Sequence, residues 1–146
     1  MSVVPAKILE WSPDYSVPVP EIDREHQNWF DIVNRLHEAM LAGRGAGHLR
    51  AIFAESTQFA LDHLAHEEQL MAAAHYPALQ EHVEQHDELR RRCRAFGERF
   101  DGGETTMTIE MMLYLSETIK QHIMTFDRPM GDYLRARELS LCQNES

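Results

Sequence analysis

Four stretches of this chain repeat apolar residues at the helical period, and each carries imidazoles or carboxylates on its apolar stripe. The sharpest is His63-Leu64-Ala65-His66-Glu67-Glu68-Gln69-Leu70-Met71, free of Gly and Pro and rich in helix formers. His63 and Glu67 stand one turn apart, on a face expected to carry Phe59, Leu70 and Ala74 as well. His82 and His86 repeat the spacing, His122 and Asp127 lie on another stripe, and His26 on a fourth. Charged groups turned into a helical core are costly unless a partner or a metal satisfies them. The pattern therefore predicts four helices converging on one polar site.

The helices are expected at about 21–42, 48–74, 77–100 and 106–127, separated by Gly43, Gly45 and Gly47, by His75-Tyr76-Pro77, and by Asp101-Gly102-Gly103. Helices of this length span roughly 30–40 Å. Joined by short loops, they give an all-α, antiparallel up-down-up-down four-helix bundle. Residues 1–20 hold Pro5, Pro13, Pro18 and Pro20, which predicts an extended arm packed on the bundle through Trp11, Tyr15, Val17 and Val19. Residues 21–134 form the bundle. Pro129 and Gly131 mark the end of the last helix or a kink, Tyr133-Leu134 adds a short turn, and 135–146 is a loose tail.

The formal charge of −10 argues against nucleic acid as a partner, and Arg90, Arg91, Arg92 and Arg94 read as a solvated face. Cys93 reads as a small buried apolar residue and Cys142 as part of the tail; a disulfide between them is not expected. No apolar run approaches the ~20 residues of a membrane span, and no leader is visible at the N-terminus. The expectation is a soluble cytoplasmic protein, a monomer or weak oligomer.

The candidate ligands are His26, His63, Glu67, His82, His86, His122 and Asp127. One ion cannot use all of them in ordinary geometry, but two can. Five nitrogens, two bridging carboxylates and a bridging oxide or hydroxide satisfy all but one position of two six-coordinate ions. The remaining position is where a small molecule binds. Nitrogen and oxygen donors without thiolate suit iron, manganese or zinc. The set lacks the paired Glu-x-x-His motifs of ferritin-like di-iron bundles.

These residues, in order, resemble a known family. Ile22-Asp23-Arg24-Glu25-His26, His63-x-x-x-Glu67-Glu68-x-x-Met71, Tyr76-Pro77, His82-x-x-x-His86 and His122-Ile123-x-x-x-Asp127 are similar to the bacterial single-domain hemerythrins. Trp11-Ser12-x-x-Tyr15 and Gly131-x-Tyr133-Leu134 extend the likeness over about 10–134. The resemblance implies two non-heme iron ions joined by an oxo or hydroxo bridge. His82, His86 and His122 would hold one, His26 and His63 the other, and Glu67 and Asp127 would bridge. It implies reversible O2 binding at the two-histidine iron, for storage, scavenging or delivery to an oxygen-consuming enzyme, with no catalysis. The O2 pocket would be lined by Trp29, Phe30, Thr118, Ile119 and Thr125.

Three positions depart from the family pattern. Thr118 stands where a Trp is usual, Trp29 where an aliphatic residue is usual, and Thr125 where a pocket Leu is usual. Trp29 is expected to fill the space beside Thr118, and the Thr125 hydroxyl to reach a bound ligand or admit water. The alternatives are a di-iron redox enzyme acting on peroxide or nitric oxide, a sensor of O2, redox or iron state, and a structural zinc bundle. His37, His48, His66 and His75 have no matching partners; His66 and Glu68 are expected at the surface or behind the ligands, and the methionines in the core.

Overall fold

The computed structural model describes residues 7–101 and 109–144. Helix α1 spans Pro20–Leu41, α2 Ala46–Ala73, α3 Leu79–Asp101 and α4 Ile109–His122. A π-helical turn, Ile123–Asp127, joins α4 to α5, Arg128–Asn144, so the last two helices form one long rod. Four rods thus make the up-down-up-down bundle. The link between α3 and α4, including Gly102-Gly103, lies outside the described residues, as does the start expected for the fourth helix at Thr106.

Local chemistry sets the helix ends. Pro20 opens α1, where its missing N–H costs nothing, and Glu21 and Asp23 lie in the first turn beside the positive end of the helix dipole. The helix stops at Gly43, whose φ of +70° is the left-handed conformation that suits glycine after a C-cap. His75 takes the same role after α2, with φ of +55°. That conformation is unfavourable for a residue with a Cβ. The Tyr133 hydroxyl donates to the carbonyls of Ala74 (2.9 Å) and His75 (3.1 Å), tying α5 to this turn.

Apolar residues fill the bundle above and below the histidines. Val33, Leu36, Ile52, Phe53 and Met112 are buried on the side of the α1–α2 loop, and Ile22, Met71 and Met130 toward the opposite end. On α2, Leu64 and Met71 are the buried residues beside His63 and Glu67, whereas Phe59, Leu70 and Ala74 are only half-buried. Beyond His86, the α3 residues Leu89, Cys93 and Phe96 are half-buried as well.

The arm is ordered by packing. Leu9 and Val17 are buried, and Trp11 and Tyr15 meet the Phe30 ring edge-on at 5.4 and 5.6 Å between centroids. The Asn34 amide pairs with the Leu9 backbone, accepting at 2.9 Å and donating at 2.8 Å. Asp23 accepts from the Val17 N–H at 2.6 Å and the Ser16 hydroxyl at 2.7 Å. The first six residues lie outside the described part.

The chain does not turn loose after 134: Arg135–Asn144 continue α5. Pro129 falls in the first turn after the wide π turn, where its lack of an N–H is tolerated. Gly131 is no breaker either, because it makes room for the arm. A Cβ there would lie 2.1 Å from Val17 Cγ1 and 3.0 Å from Pro18 Cδ. Gly131→Ala is therefore expected to destabilise the fold by about 1–3 kcal/mol through overpacking. Gly97→Ala on α3, where a Cβ meets nothing within 4 Å, is expected to stabilise by up to about 1 kcal/mol. Urea unfolding of the two variants beside the parent checks both signs.

Candidate metal centre

Each helix delivers its polar groups inward for a reason visible in its register. On α1, His26 lies on the stripe of Ile22, Phe30 and Val33 and is wholly buried. On α2, His63 and Glu67 are one turn apart and both buried, as are His82 and His86 on α3. His122 and Asp127 are five residues apart. In a regular α-helix that spacing turns the second side chain about 140° away from the first. The π turn removes the conflict: the Arg128 N–H reaches back five residues to the Ile123 carbonyl. This widened turn carries Asp127 round to the inside, fully buried, with His122.

The seven side chains meet in one place. Glu67 Oε1 lies 3.0 Å from His86 Nε2 and 3.7 Å from His82 Nε2. Its other oxygen, Oε2, lies 3.2 Å from His63 Nε2 and 3.6 Å from His26 Nε2. Asp127 divides its oxygens in the same way: Oδ1 is 3.0 Å from His82 Nε2 and 3.1 Å from His122 Nε2, while Oδ2 is 3.0 Å from His26 Nε2. Two overlapping donor groups result. Glu67, His82, His86, His122 and Asp127 form one, and His26, His63, Glu67 and Asp127 the other, with the donor atoms of each within 4.8 Å of one another. The two carboxylates belong to both.

These atoms have no hydrogen-bond partners. Both oxygens of Glu67 and of Asp127, and Nε2 of all five histidines, are buried and unsatisfied. Leaving so many polar atoms bare inside a protein costs far more than a domain's net stability can absorb. Protons or metal ions must compensate, and the donor set is one that holds metals.

Without metal, protons take that role. Burial alone would lower the His63 pKa, but the Glu67 charge and the hydrogen bond to Glu25 outweigh it and raise it to about 10. His82 is likewise lowered by burial but raised, on balance, to about 9 by Asp127 and Glu67. His26 shifts upward against its burial through Asp127 and Glu67. Burial pushes Glu67 up, but the His63 charge and the close approach of the surrounding histidines hold it well below the usual carboxylate range. Asp127 is pushed up by burial and by Glu67, yet His122 and His26 bring it down overall.

Behind the inner ring lies a layer in which His66 and Glu68 take the rear position of the two places expected for them, and in which Glu25 and Arg90 were not foreseen. Glu25, next to His26 but facing outward from it, accepts from His63 Nδ1 at 2.8 Å through one oxygen and contacts His66 Nδ1 at 2.7 Å through the other. Glu68 accepts from His86 Nδ1 at 2.8 Å and is bonded by Arg90. Arg90 is thus a half-buried, paired group rather than part of a solvated face; Arg91 and Arg92 do pair at the surface, with Glu88. The available signals were weak: Glu25 adjoins a ligand position, and His66 follows His63 by three residues. His37 is also buried, which lowers its pKa, and it stands apart from the cluster with Nδ1 unpartnered.

Of the residues assigned to a small-molecule pocket, three share one cavity of about 30 Å³: Trp29, Thr118 and Ile119, with Leu64 beside them. The Trp29 ring lies 5.6 Å from that of His63. Phe30 does not belong there. One residue on from Trp29, it turns about 100° away and packs beneath Trp11 and Tyr15 of the arm. Thr125 does not belong either. The π turn that brings Asp127 inward leaves Thr125 exposed, on surface grooves beside Phe126. Phe126 instead stacks on the His122 ring at 5.5 Å. Cys93 lines the same cavity as Trp29, and burial raises its thiol pKa. The Cys142 side chain lies outside the described residues.

Comparison with known proteins points the same way. Residues 17–134 match the family described as the hemerythrin HHE cation binding domain. The chain is 28% identical over 129 residues to a bacteriohemerythrin of Stenotrophomonas maltophilia, covering 88% of this chain and 83% of that one. It is 28% identical over 138 residues to one of Pseudomonas aeruginosa, covering 94% and 89%. Among solved structures, a wild-type hemerythrin superposes with a TM-score of 0.82 at 23% identity, covering 87% of this chain and 98% of that one. A hemerythrin point mutant gives 0.83 at 22%, covering 88% and 98%; at these identities the likeness speaks for the fold. With a family match spanning most of its length and a buried histidine–carboxylate cluster able to hold metal, the chain belongs to the hemerythrin family.

Proposed function

We propose that this chain binds O2 reversibly at a non-heme di-iron centre, as a carrier rather than a catalyst. His82, His86 and His122 would hold one iron, His26 and His63 would hold the other, and Glu67 and Asp127 would serve both. The observation that carries this reading is the division of each buried carboxylate, one oxygen toward each histidine group. The group with fewer histidines offers fewer protein donors, so a small molecule would bind on its side. When bound, a ferrous pair supplies the two electrons that reversible O2 binding requires.

The protein's own contribution is selection and dryness. Trp29, Leu64 and Ile119 place apolar surface beside the two-histidine side, which favours an uncharged diatomic and disfavours water. Trp29 occupies volume next to the small Thr118, so the cavity stays narrow. Thr118 directs its hydroxyl to the Tyr114 carbonyl at 2.8 Å, which satisfies it within its own helix. No helix among the described residues is long and apolar enough to cross a membrane.

The test is a visible spectrum of anaerobically reduced, iron-assayed protein before air, after air and after argon purging. Two irons per chain, no colour when reduced, an absorption band in air and its loss on purging are expected. A band that persists on purging would overturn the carrier reading in favour of redox chemistry on peroxide or nitric oxide.

A further inference from the structure

Glu67 and Glu68 are neighbours on α2, so one helical step sends them to different sides of His86. The imidazole is held between them, with Nε2 at 3.0 Å from Glu67 Oε1 and Nδ1 at 2.8 Å from Glu68 Oε2. Arg90, one turn further along α3, places Nη2 on that same Glu68 oxygen. Its other prong, Nη1, donates to Asp87 Oδ1 at 2.9 Å. Both arms of the planar guanidinium are therefore used, and the fork cannot rotate without losing one of them. Arg90 and Glu68 are each 25% exposed, far enough out for water to compete for the carboxylate.

A glutamate at a helix surface has several rotamers and abundant water to bond. The Arg90 clasp removes that freedom and keeps Oε2 at the edge of the site. A carboxylate fixed there accepts the Nδ1 proton of His86, so the ring's lone pair is on Nε2, facing Glu67 and the proposed metal. On the far side of the site, Glu25 is held by His66 rather than by a guanidinium. We propose that Arg90 is a positioning residue for the metal centre: acting through Glu68, it sets the ring orientation and tautomer of His86. This rests on the reading that the site holds metal.

The experiment is a chelator challenge on the full-length, iron-loaded chain under anaerobic conditions, following the rate of ferrous iron loss. Loss of a group that orients a ligand typically lowers metal affinity about 10–100-fold, and Glu68→Ala is expected to speed iron loss within that range. Arg90→Met, one step more remote, is expected to speed it about 3–10-fold, with Arg90→Lys restoring part of the difference. The double variant is expected to lose iron no faster than Glu68→Ala alone, because Arg90 has nothing left to position. Circular dichroism of each variant, matched to the parent, separates this from unfolding. An Arg90→Met rate equal to the parent's overturns the inference. So does a double variant in which the two effects multiply, since Arg90 would then act independently of Glu68. A parent chain that retains no iron overturns the metal reading and this one with it; a parent that holds two irons isolates the fault to Arg90.

Discussion

Glu67→Ala is expected to bring iron content well below two per chain, as measured by elemental analysis of purified, reconstituted protein. Glu67 sits at the centre of the cluster, fully buried, and touches four of the five histidines. Among the described residues, no other side chain offers an oxygen to both His63 and His86. Without it, both donor groups lose an anion in a region that water does not reach. The metal-free chain is expected to suffer as well. The Glu67 charge is the largest of the effects that offset burial in raising the His63 pKa, so the variant leaves the buried imidazoles with Asp127 as their one fully buried counter-charge among the described residues. Breaking a buried ion pair in this way costs about 3–5 kcal/mol, which urea unfolding of the chelator-treated variant measures. An unchanged iron stoichiometry would remove Glu67 from the ligand set and with it the bridged pair.

The second large effect is pH dependence, and its sign reverses between the metal-free and metal-loaded forms. In the metal-free chain, His63 titrates at about 10 and His82 at about 9, both raised. A raised histidine contributes stability that is complete below its unfolded value near 6.5 and is lost as pH rises through the folded one. The lowered Glu67 and Asp127 contribute stability present above the ordinary carboxylate range and lost as pH falls through their folded values. The metal-free fold is therefore expected to be most stable between about pH 4.5 and 6.5 and to weaken progressively as pH rises above about 6.5, until the contribution is gone at about 9 to 10, where His82 and His63 deprotonate in the folded chain.

Metal loading runs the other way, because a metal needs the neutral imidazoles. At neutral pH, binding must expel the protons held on His63 and His82, about two per chain. Apparent affinity is expected to rise about a hundredfold per pH unit between pH 7 and 8.5. Calorimetry of zinc or ferrous iron binding in buffers of different ionisation enthalpy measures the released protons directly. Proton release near zero would mean that the histidines enter the bound state as they were.

The division between what could be read beforehand and what could not follows the range of each interaction. His63 and Glu67, or His82 and His86, lie one helical turn apart, so local periodicity alone aims them together. The long-range pairing of four such stripes then follows from the need to bury them. Asp127 joins the cluster, but a regular helix could not have put it there; the π turn did, and it moved Thr125 to the surface in the same motion. Phe30 shares the apolar character of Trp29 and differs only in direction, which the arm's Trp11 and Tyr15 decide. The residues after 134 looked loose because Pro129 and Gly131 read as breakers. Their context, a first turn after a wide one and a close approach of Val17, made both compatible with helix.

By itself, then, the sequence determined four amphipathic helices, their order, and a shared polar site of five imidazoles and Glu67, because helical periodicity and the cost of buried charge act within a turn or two of chain. Asp127 stood out as a candidate, but only the π turn aims it inward. Only the tertiary structure decided how each carboxylate divides its oxygens between the two histidine groups. It also decided that Glu25 and Glu68 stand behind His63 and His86, and that Arg90 clasps one of them. The contacts of Glu25, Glu68 and Arg90 join residues 18 to 38 positions apart on different helices. They depend on ångström-scale placement of one rod against another, which no local pattern encodes.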